Sequence, residues 1–264
     1  MTARYQYADV RGARLAWNST GSGSPVVWAH GIGSAATTQE AAGHFDWRPI
    51  SKRHRLIRYD ARGHGHSSGG LTPTEYTWPE LGADLLALLD VVAGSGQVDA
   101  VGTSMGTASI VYAALAQPDR FRRLVLTTPP TIWDTRPGAN LARLASAKLL
   151  EDKGLAALQA LNADQPASPA LVGARRYVTP VRVRAAQYAA VLRGSAQTDL
   201  PAAKALESLD KPTLILSWTG DPSHPVSSAE ALASALPNAE LVVASTPQEH
   251  ERWGELAATF LSRG

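Results

Sequence analysis

Ser104 lies in Gly102-Thr103-Ser104-Met105-Gly106, a Gly-x-Ser-x-Gly pentapeptide between the apolar run Val98–Val101 and a helical run from Thr107 to Ala116. Strand, tight turn, serine, helix is the context of a nucleophile elbow. The serine projects from a strained turn at a helix N-terminus, where backbone N–H groups face outward. Such a turn leaves no room for neighbouring side chains, which suits glycine at 102 and 106. The pentapeptide alone is a weak signal, and its place between a buried strand and a helix makes it a strong one. A serine so placed attacks an acyl carbon, for which it needs a base and donors for the developing oxyanion.

The flanking elements supply these groups at strand ends. Tyr5 to Asp9 and Arg14 to Asn18 read as a hairpin around Gly12. Val26–Ala29 is a short continuous apolar run, as for a buried parallel strand, and ends at His30-Gly31-Ile32-Gly33. Leu56–Tyr59 runs into Asp60-Ala61-Arg62-Gly63-His64-Gly65-His66-Ser67. Trp78 to Val92 carries leucines at helical spacing before Gly94. Further strands are expected at Leu124–Thr128, Thr213–Trp218 and Glu240–Ala244, with helices from about Ser227 to Leu236 and from Pro247 to about Leu261. Between them, 131–209 has no β-branched run and reads as Ala/Leu/Arg helices. The expected organisation is a core of 1–130 and 210–264 with a helical cap insertion at 131–209. Alternating strands and helices argue for a mostly parallel sheet with helices on both faces, its site outside the carboxyl ends of the strands.

Composition narrows the function classes. The chain has 264 residues, 44% hydrophobic and 18% charged, as in an ordinary globular protein. It has no cysteine, which excludes disulfides and thiolate metal sites. The net charge of +2, without a basic block, gives no case for nucleic acid. No apolar stretch approaches a membrane span and the first residues lack a signal-peptide core, so a cytoplasmic location is expected. A small-molecule substrate is expected, with no cofactor, metal or membrane partner. The oligomeric state is open.

Four motifs give the chain a resemblance to the α/β-hydrolase family: His30-Gly31-Ile32-Gly33, Asp60-x-Arg62-Gly63-His64-Gly65-x-Ser67, the elbow at Ser104, and Gly220-Asp221-Pro222-Ser223-His224-Pro225. The resemblance covers about Tyr5 to Leu261. It implies an α/β-hydrolase fold with a central sheet of about eight strands and a helical cap. It also implies Ser104 as nucleophile, with an oxyanion hole from the N–H groups of Met105 and Ile32. Asp221, after the strand Thr213–Trp218, is the implied acid, with Asp134 as an alternative. In such a site His30, His64 and His66 read as structural, and Trp28 and Trp218 as core packing.

The base departs from the family pattern. The usual histidine loop after the last strand is shortened, because Thr246-Pro247-Gln248-Glu249 has the form of a capping box and starts a helix. His250 then lies in the first helical turn and is the first choice for the base. His224 is the alternative, although three residues from Asp221 is closer in sequence than the usual relay allows. A third possibility is that neither serves. Gly31, Trp133, Tyr177 and Tyr188 are candidate pocket residues, with Leu141 and Leu144 also in the cap. Arg175, Arg176, Arg182, Arg184 and Arg193 read as a solvated face, or as attraction for an anionic substrate.

The expected function is a serine hydrolase cleaving an ester or related small acyl substrate through an acyl-enzyme on Ser104. The alternatives are a cofactor-independent lyase, C–C hydrolase or perhydrolase on the same fold, and a non-catalytic small-ligand binder with a degenerate triad.

Overall fold

The computed structural model describes residues 4–163, 167–175 and 179–263. Eight strands form one sheet in the order β1-β2-β4-β3-β5-β6-β7-β8. They are β1 (Gln6–Val10), β2 (Ala13–Thr20), β3 (Pro25–Ala29), β4 (Arg55–Tyr59), β5 (Val98–Thr103), β6 (Phe121–Thr127), β7 (Thr213–Trp218) and β8 (Ala239–Ala244). β1 pairs antiparallel with β2, as does β2 with β4, and every pairing from β4 across to β8 is parallel.

The apolar runs are continuous because both faces of the sheet are covered. Along β3, Val27 and Ala29 enter one core, while Val26 and Trp28 enter the other. β6 divides in the same way, with Leu124 and Leu126 on one side and Val125 on the other. This period of two is that of a pleated strand.

The helices are α1 (Ala36–Ala42), α2 (Arg48–Ser51), α3 (Trp78–Ala93), α4 (Met105–Ala116), α5 (Arg136–Ala163), α6 (Ala185–Ala196), α7 (Ala203–Leu206), α8 (Val226–Ala235), α9 (Pro247–Glu251) and α10 (Trp253–Leu261). Leucines of α3 and apolar residues of α4 and α8 fill the first core, and Trp253, Ala257, Phe260 and Leu261 of α10 fill the second.

Between β6 and β7 the described elements are helices and short 3-10 turns, with an isolated bridge from Val183 to His64. α5 is broken at Gly154. Arg136 at its start is buried over the Trp78 ring, 4.1 Å from the centroid. Its guanidinium donates to the carbonyl oxygens of Thr198 and Ser195 and so ties α5 to the chain leading into α7.

The single helix expected after β8 is two, with Arg252 between α9 and α10. The capping box is present: Thr246 Oγ1 accepts from Glu249 N–H, and Glu249 Oε2 accepts from Thr246 N–H at 3.0 Å. Only Ser245 and Thr246 separate β8 from α9. No helix among the described residues is long and apolar enough to cross a membrane.

Candidate active site

Ser104 stands where β5 ends and α4 begins, with φ 52° and ψ −111°. A non-glycine residue at positive φ is strained, and its neighbours hold it there. Ser104 N–H donates to Thr127 O at 3.1 Å, and Ser104 O accepts from Ala108 N–H at 3.2 Å. Gly106 lies so close to β3 that a Cβ would overlap the carbonyl of Ala29. This close approach is the physical need behind the second glycine of the pentapeptide.

The imidazole that meets Ser104 belongs to His224. Its Nε2 lies 2.8 Å from Ser104 Oγ, and its Nδ1 lies 2.7 Å from Asp221 Oδ2. An ionised carboxylate only accepts, so Nδ1 carries the proton and Nε2 presents its lone pair to the serine hydroxyl. Such a chain can move the serine proton to the imidazole and stabilise the imidazolium that results.

The close sequence spacing of acid and imidazole is accommodated by a turn. Gly220 has φ 75°, His224 N–H donates to Asp221 O at 3.2 Å, and Ser223 N–H donates to Asp221 Oδ1 at 2.8 Å. The backbone folds back on Asp221 and lays the His224 ring across its carboxylate. Sequence separation constrains a relay only when the chain is extended, and here it is not.

Burial alone would raise the Asp221 carboxyl. The facing His224, its hydrogen bond, the Trp218 indole N–H at 3.0 Å and the Ser223 N–H outweigh that and hold it well below the usual carboxylate range. Trp218 packs as expected, stacked on Trp253 with centroids 5.4 Å apart, but its indole also donates to Asp221. Its position at the last residue of β7, three before Asp221, was the available signal.

His250, the first choice for the base, lies elsewhere, and the imidazole on Ser104 is that of His224 instead. His250 Nε2 bonds the carbonyl of His44 at 2.7 Å, and the His250 ring lies edge-on to Trp218 and Trp253. The two-residue connection from β8 to α9 leaves no loop to carry it toward Ser104. Burial lowers its pKa. Asp134 is exposed on a 3-10 turn, and the carboxylate against His224 is that of Asp221.

The loop after β3 borders Ser104. A Cβ on Gly31 would fall 3.6 Å from Ser104 Cβ. Gly31 N–H donates to Gln39 Oε1 at 3.1 Å, and Arg182 N–H donates to Gly33 O at 2.7 Å. His30 is buried beneath this loop: its Nδ1–H donates to Gly31 O at 2.8 Å and its Nε2 accepts from Ala61 N–H at 3.0 Å. Ile32 is half-buried, and Met105 is the first residue of α4, where an N–H has no acceptor within the helix. Asp60 accepts from His66 N–H and Ala36 N–H, and Arg62 pairs with Asp84 at 2.7 Å, so the second motif is bonded within itself and to the chain around it.

Of the pocket candidates, Tyr188 is buried with its hydroxyl against Gly33. Trp133 is half-buried, with its indole N–H on Pro201 O at 3.0 Å and its backbone N–H on Asp199. Leu141 and Leu144 are exposed. Tyr177 and Arg176 lie outside the described residues. Arg193 pairs with Glu151, Arg182 Nε bonds Thr38 Oγ1, and Arg175 and Arg184 are exposed.

Residues 24–249 match the model of the alpha/beta hydrolase fold family. The chain belongs to this family. It is 28% identical over 239 residues to a putative carbamate hydrolase, RutD, from Caulobacter sp. (strain K31), covering 83% of this chain and 81% of that protein. It is 31% identical over 245 residues to the polyketide synthase ThaQ of Burkholderia thailandensis, covering 87% of this chain. The chain spans 11% of ThaQ, and 43% of a putative carbamate hydrolase from Azorhizobium caulinodans. Among solved structures, the enol-lactonase from Burkholderia xenovorans LB400 superposes with a TM-score of 0.80 at 25% identity, covering 98% of this chain and all of that one.

Proposed function

We propose that the protein is a serine hydrolase that cleaves an ester or related small acyl substrate through an acyl-enzyme on Ser104. The observation that carries this reading is the unbroken relay from Ser104 Oγ to His224 Nε2, 2.8 Å, and from His224 Nδ1 to Asp221, 2.7 Å. Relatives named as carbamate hydrolase and enol-lactonase favour acyl transfer to water as the reaction class.

In this mechanism Ser104 Oγ attacks the acyl carbon while His224 Nε2 takes its proton. The N–H groups of Met105 and Ile32 receive the oxyanion, donors set in advance and each worth roughly 3–4 kcal/mol in the transition state. His224 returns the proton to the leaving heteroatom and the acyl-enzyme remains. Water then adds to the acyl carbon, giving its proton to His224, and the second collapse restores Ser104 Oγ–H. Asp221 keeps the Nδ1–H tautomer throughout. The helical segment at 131–209 serves as a cap that covers the acyl pocket, with Tyr188 on its wall. The relay also weighs against a degenerate binder, since the feature that suggested one, the shortened loop at His250, is bypassed by His224.

The test compares His224→Ala with His250→Ala on a p-nitrophenyl ester, alongside labelling of Ser104 by a fluorophosphonate. His224→Ala is expected to lower kcat by about 10⁴-fold or more. His250→Ala is expected to lose less than about tenfold, having no contact with the reacting atoms. Full activity in His224→Ala, or an unreactive Ser104 in folded protein, would overturn the reading.

A further inference from the structure

One charged side chain above the site has no work in the hydrolytic relay. On α5, Arg136, Asn140, Arg143, Ala147 and Leu150 follow at steps of three and four and form one helix face. Ala147 and Leu150 are buried in a cluster with Tyr188, and Ile32 packs against that cluster. Tyr188 in turn lies on Gly33, where a Cβ would fall 2.5 Å from its Oη. This face of α5 therefore looks onto the loop that runs beside Ser104. Two polar atoms on it, Asn140 Oδ1 and Arg143 Nε, are enclosed without a hydrogen-bond partner among the described residues.

Arg143 is half-buried, with its Nε enclosed, and other enclosed arginines are answered. Arg58 pairs with Glu40 at 2.7 Å, Arg62 pairs with Asp84 at 2.7 Å, and Arg136 bonds the carbonyls of Thr198 and Ser195. Arg143 pairs with no acid among the described residues. The groups acting on it electrostatically are Tyr188 and a second cation, Arg136. Burial pushes its pKa down, as expected of an enclosed charge without a counter-ion. A ligand anion would answer the enclosed Nε. A guanidinium fork matches a planar carboxylate in two-point contact, and the Asn140 amide, one turn earlier, can add a donor through its Nδ2.

We propose that Arg143, with Asn140 beside it, binds a free carboxylate of the substrate, so that the enzyme acts on esters or lactones carrying a carboxylate remote from the scissile bond. This rests on the hydrolase reading above, and two separate measurements keep them distinguishable.

The first is the ratio of kcat/KM for mono-p-nitrophenyl adipate to that for p-nitrophenyl hexanoate, which have equal acyl chains and differ in the terminal carboxylate. The native enzyme should favour the adipate half-ester, and Arg143→Gln should lower the ratio by about 10- to 100-fold, mainly through KM, as for a lost charge-assisted hydrogen bond. Arg143→Lys should recover only part of it, since a lysine lacks the fork. An unchanged ratio in Arg143→Gln, or no native preference, would overturn the proposal.

The second measurement needs no catalysis: calorimetric binding of adipate should weaken at least tenfold in Arg143→Gln, and equal or undetectable binding in both proteins would also overturn it. Arg143→Met offers an independent check. Removing a half-buried charge with no acid partner among the described residues should leave Tm unchanged or raise it in the absence of ligand, while abolishing the preference for the anionic ester. A lowered Tm with the preference intact would mark Arg143 as structural.

Discussion

The Asp221 carboxylate accepts three hydrogen bonds, from Ser223 N–H on Oδ1 and from His224 Nδ1–H and the Trp218 indole on Oδ2. Two of these come from its own turn. The third comes from a ring held rigid by stacking on Trp253 and on Phe45, the latter with centroids 6.0 Å apart. In the proposed hydrolase Trp218 is thus a positioning residue: it touches no reacting atom but sets the carboxylate that sets the imidazole. Trp218→Phe keeps an aromatic ring for the stack and removes only the donor. The expected result is a fall in kcat of about tenfold with little change in KM, the scale of one hydrogen bond to a charged group. A steady-state comparison checks it, with circular dichroism to show that the fold is retained. Equal losses in kcat and in substrate affinity would instead mark a general loosening of the site. The positions of Ser104 and Asp221 were legible because each follows a strand end within a recognisable local motif. The role of Trp218 was not, because an indole in a buried strand reads as packing until its N–H is seen to point at a partner.

The loop between β7 and α8 shows why spacing alone favours His250 over His224. Three residues of separation make His224 look too near Asp221, and the capping box correctly places the start of α9, which leaves His250 as the better candidate by sequence. What decides the matter is backbone curvature, a turn with Gly220 at φ 75° and an Asx-type bond from Ser223, and curvature is poorly encoded by spacing alone. By contrast, the sheet and its helices were legible almost throughout, since continuous apolar runs and helical leucine spacing are imposed by burial on both faces. The same turn supplies a prediction at the level of the element. A Cβ at Gly220 would be both strained and 2.8 Å from Pro169 Cδ, in the segment whose Ser168 Oγ donates to Thr219 O. Gly220→Ala should therefore destabilise the protein by about 1–3 kcal/mol. It should also lower kcat, because Asp221 and His224 ride on the displaced turn. Thermal unfolding together with kcat measures both effects. A variant with native Tm and activity would show that the turn does not need its left-handed residue.

At the scale of the whole molecule, two buried histidines brace the strand ends near Ser104, and the loop of one of them reaches the helical segment between β6 and β7. His30 holds the Gly31 carbonyl and the Ala61 N–H. His64 donates through Nδ1 to Arg62 O at 2.8 Å, and the adjacent backbone bonds Arg182 and bridges Val183. Burial lowers the His30 pKa to about 4, and burial together with the neighbouring His30 lowers that of His64 to about 3. Protonating His30 at Nε2 would break its bond from Ala61. Protonating His64 at Nε2 would create a buried cation with no acceptor among the described residues. An unfolded histidine titrates near 6.5, so below that pH the unfolded chain binds protons that the folded one refuses. The stability these groups contribute is complete above about pH 6.5 and declines as pH falls toward their folded values, each with a slope of up to about 1.4 kcal/mol per pH unit. Asp221 adds nothing in this window: its carboxyl is depressed in the fold, so its contribution is lost only below the ordinary carboxylate pKa, near 3.9. Burial lowers His250 and His54 in the same direction, so they add to this slope. Denaturant midpoints between about pH 7 and pH 5 should therefore fall on acidification, and His64→Gln, whose amide can still donate to Arg62 O, should flatten the slope by one group's share, up to about 1.4 kcal/mol per pH unit. Identical slopes in the two proteins would mean that His64 is not held neutral by the fold, and the acid sensitivity would then have to come from other groups.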